Sequence, residues 1–117
     1  MSIKLAKFLL TDFIENNEKD SVVEFFRRSP HAYLIMLLIY CNQVENNELS
    51  FSDIYKKIPD RIASQLTIHN LINDAVDAGF LNKRTMSKDS RAVSLTLSEK
   101  SFKSVKMWLD HLQDAIN

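Results

Sequence analysis

The stretch that decides the fold is Gly79–Leu97, GFLNKRTMSKDSRAVSLTL, which follows a helix-like segment, Ser64–Ala78. Gly79 is the only glycine of the 117 residues. It stands where an apolar-periodic segment ends, which is the position of a left-handed helix C-cap, so we expect a helix to stop just before it. Beyond it, Phe80-Leu81 and Val93–Leu97 have the character of two short strands, and the polar residues between them indicate the tip of a hairpin.

The hairpin is locally basic although the chain is not. Residues 79–93 contain four Lys or Arg side chains and one Asp, about +3, in a protein whose formal net charge is zero. The chain has a helix that ends at a glycine, then a basic hairpin, then a further helix. This is the order of elements in a winged helix-turn-helix. The sequence therefore predicts a mainly α-helical chain with a small β-hairpin wing, in the order α-α-α-α-α-β-β-α.

The wing carries a family resemblance. Asp89-x-Arg91 at the tip, followed by the strand end Leu-x-Leu-Ser at 95–98, resembles the wing signature of MarR and SarA type regulators, in which an Asp-x-Arg tip precedes a Val/Leu-x-Leu-Thr strand end and a C-terminal helix. The glycine, the two apolar residues after it and the basic pair Lys83-Arg84 are similar to the same families' pattern. The resemblance covers about residues 29–116.

This resemblance implies a wing-tip arginine, Arg91, that enters the DNA minor groove while Asp89 holds it in place. Narrow A·T-rich minor grooves concentrate negative potential and attract arginine, which gives a physical reason for such an insertion. The alternative is an exposed Asp/Arg turn pair worth under about 1 kcal/mol. In the functional interpretation Lys83, Arg84 and Lys88 contact phosphates, which confers affinity and salt dependence without sequence choice.

The helix before the wing has a polar face opposite its apolar one. Asn and Gln pair bidentately with adenine in the major groove, although a polar outer face is also the norm for a solvated surface helix. The residues that we predict to contact DNA from this helix are Gln65, Thr67, His69, Asn70 and Asn73.

Serine residues mark the expected starts of the other helices. The predicted N-caps are Ser21 for a short helix Val22–Arg28, Ser29 with Pro30 at the first helical position, Ser52 for Asp53–Ile58, and Ser98 for the last helix. The apolar run 32–44 is expected to form the central buried helix. The linker 59–63 is longer than a compact helix-turn-helix turn, so either the turn carries an insertion or the next helix starts near Asp60.

The first and last helices carry more apolar surface than a small core needs. Apolar residues recur at spacings of three and four in both segments. We expect a homodimer through them, with an interface made of Leu5, Phe8, Leu9, Phe13, Phe102, Val105, Trp108, Leu109, Leu112 and Ile116. The chain is then a single winged-helix domain, in which residues 1–28 and 98–117 dimerise and residues 29–97 form the DNA-binding lobe.

Composition narrows the functional classes. With 45% hydrophobic and 26% charged residues, one Gly and two Pro, the chain has few sharp turns, which favours helices. Because the net charge is zero, any binding of a nucleic acid must depend on a local basic patch. The longest apolar run, residues 32–41, is far shorter than the ~20 residues that span a bilayer, and the single cysteine excludes an intramolecular disulfide. We expect a cytoplasmic protein with no membrane partner.

The sequence contains no recognisable catalytic or metal-binding motif. It lacks a Gly-rich phosphate loop and a G-x-S-x-G elbow, and His31, His69 and His111 are scattered without metal-ligand spacing. We expect no enzymatic activity and no cofactor. Cys41 lies in the apolar run and is expected to be a buried, unreactive thiol, the alternative being a redox-sensing cysteine as in some MarR-like regulators.

Three functions fit this sequence. The first is a sequence-specific regulator that binds double-stranded DNA as a homodimer, with a recognition helix in the major groove and a wing in the minor groove. The second is a protein-binding winged-helix module, favoured by the neutral charge and by Asp74 and Asp77 on the recognition helix. The third is a plasmid or phage replication or partition factor with the same DNA contacts. The resemblance also suggests a small aromatic effector, but no polar residues converge on a cavity in the sequence to support that partner.

Overall fold

The computed structural model describes residues 2–15, 21–86 and 92–117. The elements are α1 (Ser2–Glu15), α2 (Val22–Phe26), α3 (Pro30–Val44), α4 (Phe51–Lys57), α5 (Gln65–Asp77), β1 (Leu81–Thr85), β2 (Val93–Leu97) and α6 (Glu99–Ile116). This order is the predicted one, five helices, a two-stranded hairpin and a further helix.

Serine side chains cap the helices, with one difference from the prediction. Ser21, Ser29 and Ser98 accept hydrogen bonds from backbone N–H groups of the first turns that follow them, as predicted. At α4 the predicted cap Ser52 is wrong, because the cap is Ser50. The Ser50 Oγ accepts from the Asp53 N–H at 3.1 Å and the Asp53 carboxylate accepts from the Ser50 N–H at 2.9 Å. Such a capping box needs an acidic or amide side chain three residues after the serine, which Ser50 has and Ser52 lacks.

The helix stop at Gly79 is confirmed. Gly79 has a φ of +84°, in the left-handed region. The Phe80 N–H donates to the carbonyl of Ala75 at 2.9 Å and the Gly79 N–H to that of Val76 at 3.0 Å. These two bonds form a Schellman motif, which satisfies the last carbonyls of α5 and turns the chain into the hairpin.

The hairpin begins one residue later than predicted. Leu81 pairs with Leu97 and Thr85 with Val93 in an antiparallel register. Phe80 precedes the strand because its N–H forms one of the two hydrogen bonds of the Schellman motif. The centre of its ring lies 5.1 Å from that of the Phe25 ring. The segment before α4 pairs with the outer edge of β2, since the Leu95 N–H donates to the Leu49 carbonyl at 2.8 Å.

The core lies between α2, α3, α4, α5, the hairpin and α6. Helix α3 buries Ile35, Met36 and Ile39, but it is not the wholly buried helix that its composition predicted. It packs against neighbours on one side, so Val44 and Cys41 are exposed. The prediction of a buried thiol is therefore wrong, because a uniformly apolar helix gives no signal of which flank meets the core.

The connection between α4 and α5 is a turn with an insertion. The N–H groups of Ile62 and Ala63 both donate to the Pro59 carbonyl, at 2.9 and 3.3 Å. The next helix begins at Gln65, with Ser64 as its N-cap. Of the two alternatives that the sequence left open, the longer turn is the correct one.

Helix α1 is held to the rest of the chain through Asp12. Asp12 is 8% exposed, and its carboxylate accepts from Arg27 Nη1 at 2.7 Å and from Trp108 Nε1 at 2.9 Å. A second guanidinium nitrogen of Arg27 donates to the Asp12 carbonyl at 3.2 Å. This single acidic residue therefore ties α1 both to the end of α2 and to α6.

Candidate nucleic-acid interface

Helix α5 presents the predicted polar residues on its outer side. Its inner side buries Ile68, Ile72 and Ala75. On the outer side, Gln65, Thr67, His69 and Asn70 are exposed and Asn73 is half-buried. The amphipathic pattern therefore placed the two faces correctly.

Hydrogen bonds between Ser64 and Thr67 organise the first turn of α5. The Ser64 Oγ accepts from the Thr67 N–H at 3.1 Å, and the two hydroxyl oxygens lie 3.0 Å apart. The Thr67 hydroxyl is thus already hydrogen-bonded within the chain, whereas the Gln65 side chain beside it is exposed. Backbone N–H groups at such a helix start favour a nearby anion, which suits an approach to phosphate.

Lys83 joins the hairpin to α5. Its Nζ donates to Asn73 Oδ1 at 2.7 Å and lies 5.5 Å from the centre of the Phe51 ring. The Phe51 ring also lies next to that of His69, with ring centroids 5.3 Å apart. One residue from α4, two from α5 and one from β1 therefore form a contiguous surface, which we call the α5–wing surface (Phe51, His69, Asn73 and Lys83).

Arg84, the other half of the basic pair, lies on the opposite face of the hairpin. Successive side chains of a strand alternate between faces, so Lys83 and Arg84 diverge. Arg84 lines a cleft of about 590 Å³ between the end of α3, the sheet and the start of α6. The sequence predicted equivalent roles for the two residues, and the strand geometry separates them.

The remaining predicted contacts, Lys88, Asp89 and Arg91, lie outside the described residues. On either side of the gap in the described residues, the Met86 N–H donates to the Ala92 carbonyl at 3.0 Å.

Sequence reasoning missed one exposed residue of α5. Leu66, the second residue of α5, is 69% exposed. It lies off the apolar face of Ile68, Ile72 and Ala75, so the helical periodicity itself contained the signal. The prediction considered only residue types that form hydrogen bonds and therefore passed over it.

The predicted dimer residues separate into three groups by their exposure. Val105 is 0% exposed and belongs to the core of its own chain, which corrects its assignment to an interface. Phe102, Trp108 and Leu109 pack against the core of the chain. Phe102 stacks on Tyr40, and Trp108 meets Tyr33 edge-on. The half-buried members are Leu5, Phe8, Phe102, Trp108, Leu109 and Leu112, and the exposed ones are Leu9, Phe13 and Ile116.

Helix α1 exposes an apolar stripe along its outer side. Leu10 is 61% and Phe13 59% exposed, and Ile3 and Ile14 are exposed with them. Opposite this stripe, the inner side of α1 packs on α6. Further exposed apolar side chains on α6 are Met107 and Ile116.

A second cleft lies where α1 meets the start of α3 and the side of α6. Its volume is about 370 Å³, and its wall includes the aromatic side chains of Phe13, Tyr33 and Trp108 together with Arg27 and Asp12.

Among the residues that the structure describes, no group of three or more His, Cys, Asp or Glu side chains is arranged to hold a metal ion. Within the same residues, no helix has the length and apolar character needed to cross a membrane.

Solved structures share this arrangement. The chain superposes on the S. aureus MepR–DNA complex with a TM-score of 0.64 at 16% identity, covering 96% of this chain and 84% of that one. The fold is that of MarR-type winged-helix regulators. S. aureus MepR bound to ethidium bromide gives a TM-score of 0.62 at 16% identity, covering 99% and 77% of the two chains.

A further similar structure is the adhesin competence repressor AdcR from Streptococcus pyogenes. Its TM-score is 0.55 at 18% identity, covering 100% of this chain and 77% of that one. No protein-family model and no curated protein matches the sequence itself. The similarity is therefore one of fold.

Proposed function

We propose that this protein is a cytoplasmic transcriptional regulator that binds double-stranded DNA in a sequence-specific manner. In the proposed complex, α5 lies in the major groove and the hairpin tip in the minor groove. The observation that carries the proposal is the α5–wing surface, where a polar helix face is continuous with a lysine of the wing. The similarity to a MarR-type regulator crystallised with DNA supports it.

The polar residues of α5 and the lysine of the wing suit both parts of DNA recognition. Gln65, Asn70 and Asn73 have the amide groups that pair with adenine in the major groove. Lys83 has an ammonium group that neutralises phosphate, which gives affinity without sequence choice. A protein-binding module would need no such combination, although Asp74 and Asp77 lie on the same helix.

We further propose that the protein acts as a homodimer through α1 and α6. The exposed stripe of Ile3, Leu10, Phe13 and Ile14 is the largest unburied apolar feature of the first helix. A twofold partner buries the same stripe on both chains. Such a dimer would set two recognition helices about 34–36 Å apart, which is one turn of DNA.

The cleft beside Asp12 suits a small aromatic effector. Three aromatic rings form part of its wall, beside the ion pair of Asp12 and Arg27. One of the proteins with a similar fold, S. aureus MepR, has been crystallised bound to ethidium bromide. Trp108 is the only tryptophan of the chain and lines this cleft, so its fluorescence reports directly on occupancy.

Mobility shift of the full chain with mixed genomic fragments, titrated with salt, tests the proposed function. We expect retarded complexes whose affinity falls linearly on a log–log scale with salt concentration, because lysine and arginine release counterions from the phosphates. Absence of any complex at low salt, together with no retention on heparin, would exclude DNA binding and favour the protein-binding alternative.

A further inference from the structure

Leu66 is an exposed leucine at the start of the recognition helix. It has 69% of its surface exposed, while the other Leu, Ile and Val side chains of α5 are buried or half-buried. With Ser64 as the N-cap, Leu66 is the second helical residue. In helix-turn-helix proteins the N-terminal residues of the recognition helix are those that contact base edges.

The position of Leu66 is well defined. The hydrogen bonds between Ser64 and Thr67 fix the turn on which it stands. Residues four and seven further along a helix lie on the same side, so Leu66 is aligned with Asn70 and Asn73. It therefore belongs to the row of side chains that faces DNA in the proposed function.

We propose that Leu66 is a specificity-determining residue that contacts the 5-methyl group of a thymine. The methyl group of thymine is the apolar group that base pairs present in the major groove, where the other edge groups are hydrogen-bond donors and acceptors. A leucine among polar side chains that contact bases forms no hydrogen bond with those groups. It does bury apolar surface against a methyl group, which is favourable. This inference rests on the proposed function and adds a base preference to it.

The test replaces each thymine of a bound duplex in turn with deoxyuridine, which keeps the hydrogen-bonding groups and removes only the methyl. The duplex is one that the wild-type chain selects from a random pool. We expect at least one position at which the replacement weakens wild-type binding by about fourfold, the loss of one buried methyl. At that position Leu66→Ala should bind thymine and uracil duplexes equally, and Leu66→Met should retain the preference.

Val44→Ala is the matched control, since Val44 is also an exposed apolar residue but lies at the end of α3. It should keep the wild-type discrimination at every position. A wild-type chain insensitive to every replacement, a Leu66→Ala chain that keeps the thymine preference, or a Val44→Ala chain that loses it would each overturn the assignment while DNA binding itself persists. Failure to select any duplex would instead reject the proposed function, and this inference with it.

Discussion

Lys83 Nζ lies 2.7 Å from Asn73 Oδ1, so the hairpin and α5 are joined by a direct hydrogen bond. An ammonium group only donates, which means that the amide atom facing it is the oxygen and that the Nδ2 group of Asn73 points elsewhere. The carbonyl oxygen keeps a second lone pair. The Asn73 amide is therefore oriented within the free chain, and under the proposed function it is set to contact a base edge.

The first prediction separates Lys83 from Arg84. Lys83→Ala should lower the log–log salt slope of DNA binding by about one and also flatten the base preference at one position, because Asn73 loses its orienting contact. Arg84→Ala, on the opposite face of the strand, should leave every base preference unchanged. Binding titrations on a selected site and its single-base variants measure both effects. Equal effects of the two variants on base preference would contradict this assignment.

The second prediction concerns Arg91, which the family resemblance places at the wing tip. Arg91→Ala should weaken binding most at sites with an A·T-rich minor groove beside the major-groove contacts, because insertion there gains most from the negative potential. Affinities for A·T-rich and G·C-rich flanks around one core sequence give the comparison. If the folded variant binds DNA with both flanks as tightly as the wild type does, Arg91 does not contact DNA.

The third prediction concerns the buried carboxylate of α1. Asp12→Ala removes the acceptor of both Arg27 and Trp108 in a site nearly closed to water, so the free energy of unfolding should fall by about 3 kcal/mol. Trp108→Phe keeps most of the ring and removes one hydrogen bond, with an expected loss of about 1 kcal/mol. Urea denaturation followed by circular dichroism measures both values.

Asp110 provides the control for that experiment. Its carboxylate pairs with Lys106 on the exposed side of α6, where solvent screens the interaction. Asp110→Ala should leave the denaturation midpoint essentially at its wild-type value. If Asp12→Ala were equally neutral, the role of Asp12 in holding α1 would be wrong.

The fourth prediction concerns the dimer. Leu10→Glu places a charge in the exposed stripe of α1 without touching the core of its own chain, so the variant should fold, sediment as a monomer and lose DNA affinity. Thr11→Glu adds the same charge at the next residue, about a quarter turn away, and should remain dimeric. A wild-type chain that sediments as a monomer at tens of micromolar while binding DNA would exclude the proposed arrangement.

Local signals in the sequence predicted most of the fold. Gly79 marked the end of α5 because its backbone conformation is one that other residues rarely adopt, and Ser21, Ser29 and Ser98 marked helix starts because their side chains bond the adjacent turn. Ser50 was missed in favour of Ser52, although its partner Asp53 is visible three residues on. These features depend on neighbours in sequence.

The features that the sequence did not predict depend on distant neighbours. The role of Asp12 needs Arg27 and Trp108, 15 and 96 residues away. Likewise, the burial of Val105 and the exposure of Cys41 follow from which flank of a helix meets the core. Periodicity identifies an apolar face but not the element that covers it.

Selection of bound duplexes from a random DNA pool, followed by alignment of the selected sequences, tests the central claim most directly. A homodimer with α5 in the major groove predicts an inverted repeat whose two half-sites have centres about 10–10.5 base pairs, or one DNA turn, apart. No enrichment over repeated rounds, or enrichment of a single half-site without a symmetric partner, would contradict the account.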